Sequence, residues 1–198
     1  MLSICHHWRD VAIKASELWT TVHIPLDLPL PATQAFLERS KGRLIDVYIR
    51  AVNTDPFISC ACDAAVIAAV TAPHIPRVRT LDIVLPDSDL YTIFSDAYRS
   101  ISATNLIGLS IHLDVPFWKV GTYPEALFVA NSSSLCHFVA QGNFLNVVPS
   151  RTSLTTLELS KYSPSHMELQ DLFNSSPYLE TLILHVFDRN ALDPTIEH

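Results

Sequence analysis

The chain has 198 residues, of which 48% are hydrophobic and 17% charged, and it contains only 4 glycines. This composition favours one ordered domain, or one domain with a short appendage, and it argues against disorder and against a glycine-rich phosphate loop. The formal net charge of −7 and the isoelectric point near 5.6 argue against nucleic-acid binding, because that binding depends largely on clustered Lys and Arg.

A short pattern recurs along the chain: an apolar residue, two further residues, a second apolar residue, one residue and a third apolar residue. It is clearest in LIGLSI at residues 106–111, LTTLEL at 154–159 and LETLIL at 179–184. In chain order, the middle apolar residues are Val22, Val47, Leu81, Leu109, Phe138, Leu157 and Leu182.

The steps between these centres run from 19 residues, between Phe138 and Leu157, to 34 residues, between Val47 and Leu81. They scatter around the leucine-rich spacing of about 20 to 29 residues, which indicates an irregular leucine-rich repeat. The alternative is that short apolar alternations have arisen by chance in an ordinary α/β protein.

The last two apolar residues of the pattern are two positions apart, so they share one face of a strand and the residue between them points to the other face. A short strand with one apolar face is stable only when successive strands stack and a return segment covers the apolar side. The pattern therefore predicts an α/β fold, a leucine-rich-repeat-like solenoid with a short parallel sheet of seven strands and covering helices.

The return segments carry helix signals. Residues 31–40 form the first predicted helix, with Gly42 as its stop, and Thr54 or Asp55 begins a second. Residues 87–99 form an amphipathic third. A capping box at residues 165–168 precedes a fourth helix in which Leu169, Leu172 and Phe173 are expected to share one face.

Candidate chemistry is sparse. The nine histidines include no pair at the i, i+4 spacing of a zinc-binding helix, and no Gly-x-Ser-x-Gly or glycine-rich nucleotide turn is present. We therefore expect no catalytic residues, no metal, no cofactor and no enzymatic activity. The four cysteines, Cys5, Cys60, Cys62 and Cys136, are expected to be buried thiols rather than disulfides.

Targeting signals are also absent from the sequence. The N-terminus lacks the features of a secretory signal, and the most apolar stretch, residues 57–72, is shorter than the roughly 20 residues that cross a bilayer. We expect a cytoplasmic or nuclear protein that binds neither membrane nor nucleic acid.

Residues 2–12, LSICHHWRDVA, followed by Glu17, Leu18 and Trp19, resemble the closing helix of an F-box. Residues 36–49, FLERSKGRLIDVYI, and residues 174–184, NSSPYLETLIL, resemble later parts of mushroom-type fungal F-box-like proteins with irregular leucine-rich repeats. The resemblance spans most of the chain. It departs from the family at His6 and His7, which replace a basic pair.

The resemblance implies two segments: residues 1–18, the C-terminal remnant of an F-box-like motif, and residues 19–198, an irregular leucine-rich-repeat-like domain that is incomplete at its C-terminus. It implies a substrate-receptor-like component of an SCF-type (Skp/cullin/F-box) ubiquitin ligase that binds target proteins through its repeats. The alternative is a leucine-rich-repeat scaffold or truncated gene product without a ubiquitin-ligase role.

The partners implied are a Skp-type adaptor and an unknown target protein. The first helices of an F-box would precede Leu2, so we expect the adaptor surface to be incomplete and limited to Leu2, Cys5 and Trp8. Trp8 and Trp19 have a second interpretation, in which both close the hydrophobic end of the first repeat.

The residues between and just after the inward apolar pairs point to the uncovered face of the sheet, which a solenoid makes concave. We therefore predict a target-binding face. Its candidate residues are His23, Tyr48, Arg50, Asp82, Ser110, His112, Glu158 and His185. The alternative is that these are only solvated strand positions and that partners contact the loops.

Overall fold

The computed structural model describes residues 5–26, 30–51, 61–86, 88–113, 127–128, 132–141, 151–161 and 164–185. The helices are His6–Lys14 (α1), Leu30–Arg39 (α2), Ala61–Thr71 (α3), Ser88–Tyr98 (α4) and His166–Ser175 (α5). The strands are Thr21–Pro25 (β1), Ile45–Arg50 (β2), Val78–Leu85 (β3), Gly108–Leu113 (β4), His137–Gln141 (β5), Thr156–Ser160 (β6) and Thr181–His185 (β7). Short 3₁₀ helices at Ser16–Trp19 and Ala72–Arg77 lead into β1 and β3.

The seven strands form one parallel sheet in which every strand pairs with its neighbours in the chain. One row of paired residues runs straight across the sheet through Val22, Val47, Leu81, Leu109, Phe138, Leu157 and Leu182. These are the seven centres that the sequence pattern marks, so the predicted α/β fold with seven parallel strands is confirmed.

The core lies between the sheet and its helices. The row of centres and the row two residues further on, from Ile24 to Leu159, are buried across β1 to β6. Leu37 of α2, Phe94 of α4 and Leu172 of α5 belong to the same apolar cluster. Each fully buried side chain of this kind stabilises the fold by about 1.5–3 kcal/mol.

A tight turn precedes each of the five strands from β3 to β7; each strand with the turn before it and the segment after it is here called a unit. In each, the backbone N–H of the first apolar residue of the pattern donates to the carbonyl oxygen three residues earlier, and the sequence pattern does not mark this turn. The donor and acceptor pairs are Val78 and Ile75, Leu106 and Ala103, Leu135 and Ser132, Leu154 and Arg151, and Leu179 and Ser176.

Side chains join these turns to one another. Asn105 donates to the carbonyl of Pro76, Ser134 to that of Thr104, and Ser153 to that of Ser133, at 2.5 to 2.7 Å. In all three cases, the residue just before one unit's first apolar residue bonds to the carbonyl two positions before the first apolar residue of the preceding unit. Units of different length therefore meet through the same contact.

Arg77 occupies the same position in the β3 unit. Its guanidinium donates to the carbonyl oxygens of Leu37 at 2.7 Å and Arg43 at 3.1 Å, and to the Ser40 hydroxyl at 2.7 Å. Carbonyl groups at the end of a helix lack partners within it, and a basic side chain satisfies them. Arg77 therefore fastens the end of α2 to the third unit.

Three of the four helix predictions correspond to described helices. Helices α2 and α4 match residues 31–40 and 87–99 to within one residue at each end. Helix α5 has the predicted capping box, in which Ser165 and Glu168 each bond to the other's backbone N–H. The predicted start at Thr54 or Asp55 lies outside the described residues.

Helix α2 ends at Arg39, and Lys41, with φ of 52°, takes a left-handed conformation just before Gly42, the predicted stop. One local prediction about helices is wrong. Phe173 is exposed, whereas Leu172 is buried, because consecutive helical residues point about 100° apart.

Two burial predictions near the N-terminus also fail. Trp8 is 66% exposed on α1, a helix with no buried residue, so only Trp19 packs against the first unit. Cys5 is exposed and Cys136 is half-buried, so the expectation of buried thiols is wrong for Cys5. The side chains of Cys60 and Cys62 lie outside the described part of the chain.

The last described strand is less covered than the others. Leu182 and Leu184 of β7 are half-buried, although their partners Leu157 and Leu159 in β6 are fully buried. Residues 186–198, which bear on the predicted incompleteness of the C-terminus, lie outside the described ranges. Among the described helices, none has the length and apolar content that a membrane crossing requires.

Leu157 and Leu182 provide a matched test of this packing, since both are leucines and they are partners in one row. Leu157→Ala should lower the free energy of unfolding by about 2–5 kcal/mol, the usual cost of a cavity at a closed site. Leu182→Ala should cost less than about 2 kcal/mol, because half-exposed surroundings can collapse or admit water. Urea denaturation of both variants measures the difference, and equal losses would contradict the described burial.

Candidate functional site: the outer face of the sheet

The side chains that alternate with the buried rows form the face of the sheet opposite the core, here called the outer face. Three rows of paired residues cross it, and none of their members is buried. The amino-end row is Thr21, Asp46, Thr80, Gly108, His137, Thr156 and Thr181; the middle row is His23, Tyr48, Asp82, Ser110, Val139, Glu158 and Ile183; the carboxyl-end row is Pro25, Arg50, Val84, His112, Gln141, Ser160 and His185.

All eight predicted target-binding residues lie on this face, and the structure joins them in four pairs. The rings of His23 and Tyr48 stack with centroids 4.8 Å apart. The Arg50 guanidinium lies 3.1 Å from Asp82 Oδ2, and His185 Nε2 lies 3.2 Å from Glu158 Oε1. Ser110 Oγ and His112 Nε2 are 2.8 Å apart.

A second ion pair joins Asp46 and Arg79, neither of which was among the candidate residues predicted from the sequence. Arg79 contacts Asp46 with both Nε and Nη2, which is the forked geometry that guanidinium groups make with carboxylates. The pairing register shifts between Ile45 and Asp46, so that Ile45 pairs with Val78 and Asp46 with Thr80. Arg79 falls within this irregularity, and periodicity alone could not have placed it.

The contact between Asp46 and Arg79 shifts the pKa of both residues. The hydrogen bond from Arg79 lowers the pKa of Asp46 below its ordinary value, despite an opposing contribution from burial. The same contact raises the pKa of Arg79. Asp46 is therefore ionised at neutral pH and holds the guanidinium in place.

Asp82 is the most enclosed carboxylate of the outer face. Its Oδ2 accepts from Arg50, whereas its Oδ1 is buried and lacks a hydrogen-bond partner among the described residues. Loss of the Arg50 contact would leave both oxygens without a donor. The hydrogen bond to Asp82 therefore holds the Arg50 guanidinium in place, because breaking it would leave a poorly solvated carboxylate without a donor.

Of the three residues predicted to bind an adaptor, the structure describes Cys5 and Trp8, and both are exposed. Leu2 lies outside the described residues, Cys5 is exposed before α1, and Trp8 projects from α1 with its ring against His7 at 5.8 Å. Trp19 instead connects α1 to α2. Its Nε1 donates to the Ala12 carbonyl at 2.8 Å, and its ring meets that of Phe36 edge-on.

The outer face offers hydrogen-bond donors and acceptors, aromatic rings and ion pairs, which are the groups that protein recognition uses. Within the described ranges, no three His, Cys, Asp or Glu side chains come together in a way that could hold a metal ion. Comparison of the chain with models of protein families, with curated proteins and with solved structures finds no match in any of the three.

The pH dependence of stability tests the Asp46–Arg79 pair. A carboxyl whose pKa is lower in the folded state stabilises the fold above its unfolded pKa of about 3.9, and this contribution disappears as the pH falls through the folded value. Asp46→Asn should therefore be less stable than the parent chain at pH 7, and the difference should shrink progressively as the pH falls below about 3.9. Urea denaturation across this pH range measures it.

The control for this prediction is Asp46→Asn in a variant that lacks the Arg79 guanidinium. In an Arg79→Gln background, Asp46→Asn should change stability less and with a weaker pH dependence, because the larger interaction is already lost and only the hydrogen bond from Thr80 remains. A difference that persists unchanged in that background would contradict the assignment to Arg79.

Proposed function

We propose that this chain is a protein-binding, substrate-receptor-like component of an SCF-type ubiquitin ligase that holds its target on the outer face of the sheet. In this proposal, residues 1–18 are the remnant of an F-box-like motif and residues 19–198 form a leucine-rich-repeat-like solenoid. The chain contributes no catalytic group. It acts by raising the effective concentration of the target near the ubiquitin-charged enzyme, as any tether does.

The repeated turn contacts support the solenoid. A chance set of alternating strands would not place equivalent side chains in the same contact with each preceding unit. Asn105, Ser134 and Ser153 do so across units of different length. Repeat proteins are built from such nearest-neighbour contacts, and their open faces serve as extended binding surfaces.

The observation that carries the binding role is the organisation of the outer face. Its polar side chains are oriented by cross-strand partners, as Arg50 is by Asp82 and His185 is by Glu158. Side chains that are already oriented lose less conformational entropy when a partner binds. The face therefore presents a pre-arranged surface rather than freely moving solvated groups.

Support for the adaptor role comes from α1. This nine-residue helix buries none of its side chains, and Trp8 and Val11 lie exposed on it three residues apart. Residues three apart on a helix share one face. That face is available to further F-box helices and to an adaptor.

Site-specific photo-crosslinking tests target binding. A benzophenone amino acid at Val139, the fifth of the seven positions of the middle row, should yield a crosslinked protein in cells that express the chain. The same group at Asp96, exposed on α4 behind the core, is the matched control. Crosslinks from Asp96 alone would show that partners do not use the outer face.

An adaptor pull-down tests the ubiquitin-ligase role. The chain, extended at its N-terminus with the first helices of an F-box, should retain a Skp-type adaptor, and Trp8→Ala should reduce retention at least about tenfold if it removes about 1.4 kcal/mol of contact. Phe173→Ala, which removes an exposed aromatic from α5, should have no effect. Failure of the extended chain to bind the adaptor would favour the second candidate, a leucine-rich-repeat scaffold without a ubiquitin-ligase role.

A further inference from the structure

The two arginine–aspartate ion pairs of the outer face and its His185–Glu158 hydrogen bond share an asymmetry. In the Arg50–Asp82 pair, 58% of the arginine side chain is exposed but only 14% of the aspartate. The Arg79–Asp46 pair has exposed fractions of 50% and 15%, and the His185–Glu158 pair 60% and 35%. In each pair, the nitrogen-bearing group faces solvent and the carboxylate lies closer to the sheet.

This arrangement determines which charged groups are most accessible to a partner. The whole chain carries a net charge of −7, and the outer face has two guanidinium groups among three carboxylates, but Arg50 and Arg79 are each more exposed than the carboxylate they contact. The less exposed carboxylates hold these groups in place and are less accessible to a ligand. An approaching carboxylate can use the N–H groups that point outward, with the geometry that arginine prefers.

The carboxyl-end row strengthens this conclusion. Its seven positions include no Asp or Glu, and the polar members are residue types that can donate hydrogen bonds: Arg50, His112, Gln141, Ser160 and His185. Four of them already have partners, namely Asp82 for Arg50, Ser110 for His112, the Ala140 carbonyl for Ser160 and Glu158 for His185, so a ligand would use their remaining N–H groups or replace these bonds. Strands in a sheet are about 4.8 Å apart, so seven strands span about 29 Å, which an extended peptide of about nine residues would cover. The row has the length and the donors for an extended segment.

We propose that the outer face binds an extended acidic segment of a partner protein, with its carboxylates on Arg50 and along the carboxyl-end row. This inference rests on the proposed role of the outer face in protein binding and adds the chemistry of the partner. Nucleic acid fits less well, because it requires more clustered cations than the two arginines present here among three carboxylates. The His23–Tyr48 stack, next to Arg50, provides an apolar surface at one end of the face.

The test uses a fluorescent peptide of about twelve residues, in which Glu alternates with Ser, long enough to cross all seven strands. Fluorescence anisotropy should show that it binds the chain, at least about tenfold more tightly than matched peptides with Gln or Lys in place of Glu. The affinity should fall as salt is added, since screening weakens exposed charge pairs. A single-stranded oligonucleotide of similar length should bind more weakly.

Two variants locate the site. Arg50→Gln combined with Asp82→Asn leaves the net charge of the chain unchanged and keeps two groups that can hydrogen-bond, so the fold should survive; the melting temperature verifies this. Binding of the Glu peptide should fall about tenfold, the effect of losing about 1.4 kcal/mol. Arg99→Gln, at the end of α4, makes the chain more negative but lies outside the outer face, and it should change binding little.

Several outcomes would overturn the inference. They are absence of binding by the Glu peptide, equal binding by the Gln peptide, tighter binding by the oligonucleotide, or a larger loss from Arg99→Gln than from the double variant. Each is distinct from failure of the proposed function, because crosslinking at Val139 reports target binding whatever the charge of the target. A crosslink at Val139 without Glu-peptide binding would leave the protein-binding role in place and reject only the acidic partner.

Discussion

The structure depends on the register of one parallel ladder. Side chains on a strand alternate between faces with a period of two, so a slip of one residue between neighbouring strands would move apolar residues from the core to solvent. Here Val22 is aligned with Val47, and the alignment continues to Leu182 without a change of face. The core, the outer face and the contacts between units all follow from this alignment.

The turn before each strand explains why neighbouring strands stay aligned although the segments between them differ in length. The segment that leaves one strand and returns to the next varies, but the turn that ends it repeats, as at Ala103–Leu106 and Ser132–Leu135. Side chains such as Asn105 then bond each turn to its predecessor. Because the turn fixes where the strand begins, a helix such as α4 can be inserted without disturbing the sheet.

The alignment of the strands also forms the outer face, because the side chains that alternate with the buried rows all point to that side of the sheet. Cross-strand neighbours there are close enough for direct contact, and ion pairs between them are stabilising. At the surface such pairs contribute little to stability, so their main effect is to orient the groups that a partner would meet. Asp82, with one oxygen bonded to Arg50 and the other lacking a described partner, shows that this face is not arranged for stability alone.

Much of the fold was predictable from local patterns. The alternation around Leu109, Leu157 and Leu182 determined the strands and their inward faces, and the Ser165–Glu168 box determined the start of α5, because each signal depends only on residues a few positions apart. Which outward residues share the uncovered face also followed from this alternation. The eight candidate residues are therefore where the pattern placed them.

Other features were decided only by the tertiary structure. The Arg79–Asp46 pair depends on a register shift between strands, and the stacking of His23 on Tyr48 depends on which strands are neighbours. Burial of Trp8 was expected from its residue type, but α1 packs none of its side chains into the core. The amino-acid sequence by itself determined the strands and their inward faces, because alternation is a local property. Pairing, charge orientation and exposure required the three-dimensional structure, because they depend on residues that are distant in the chain.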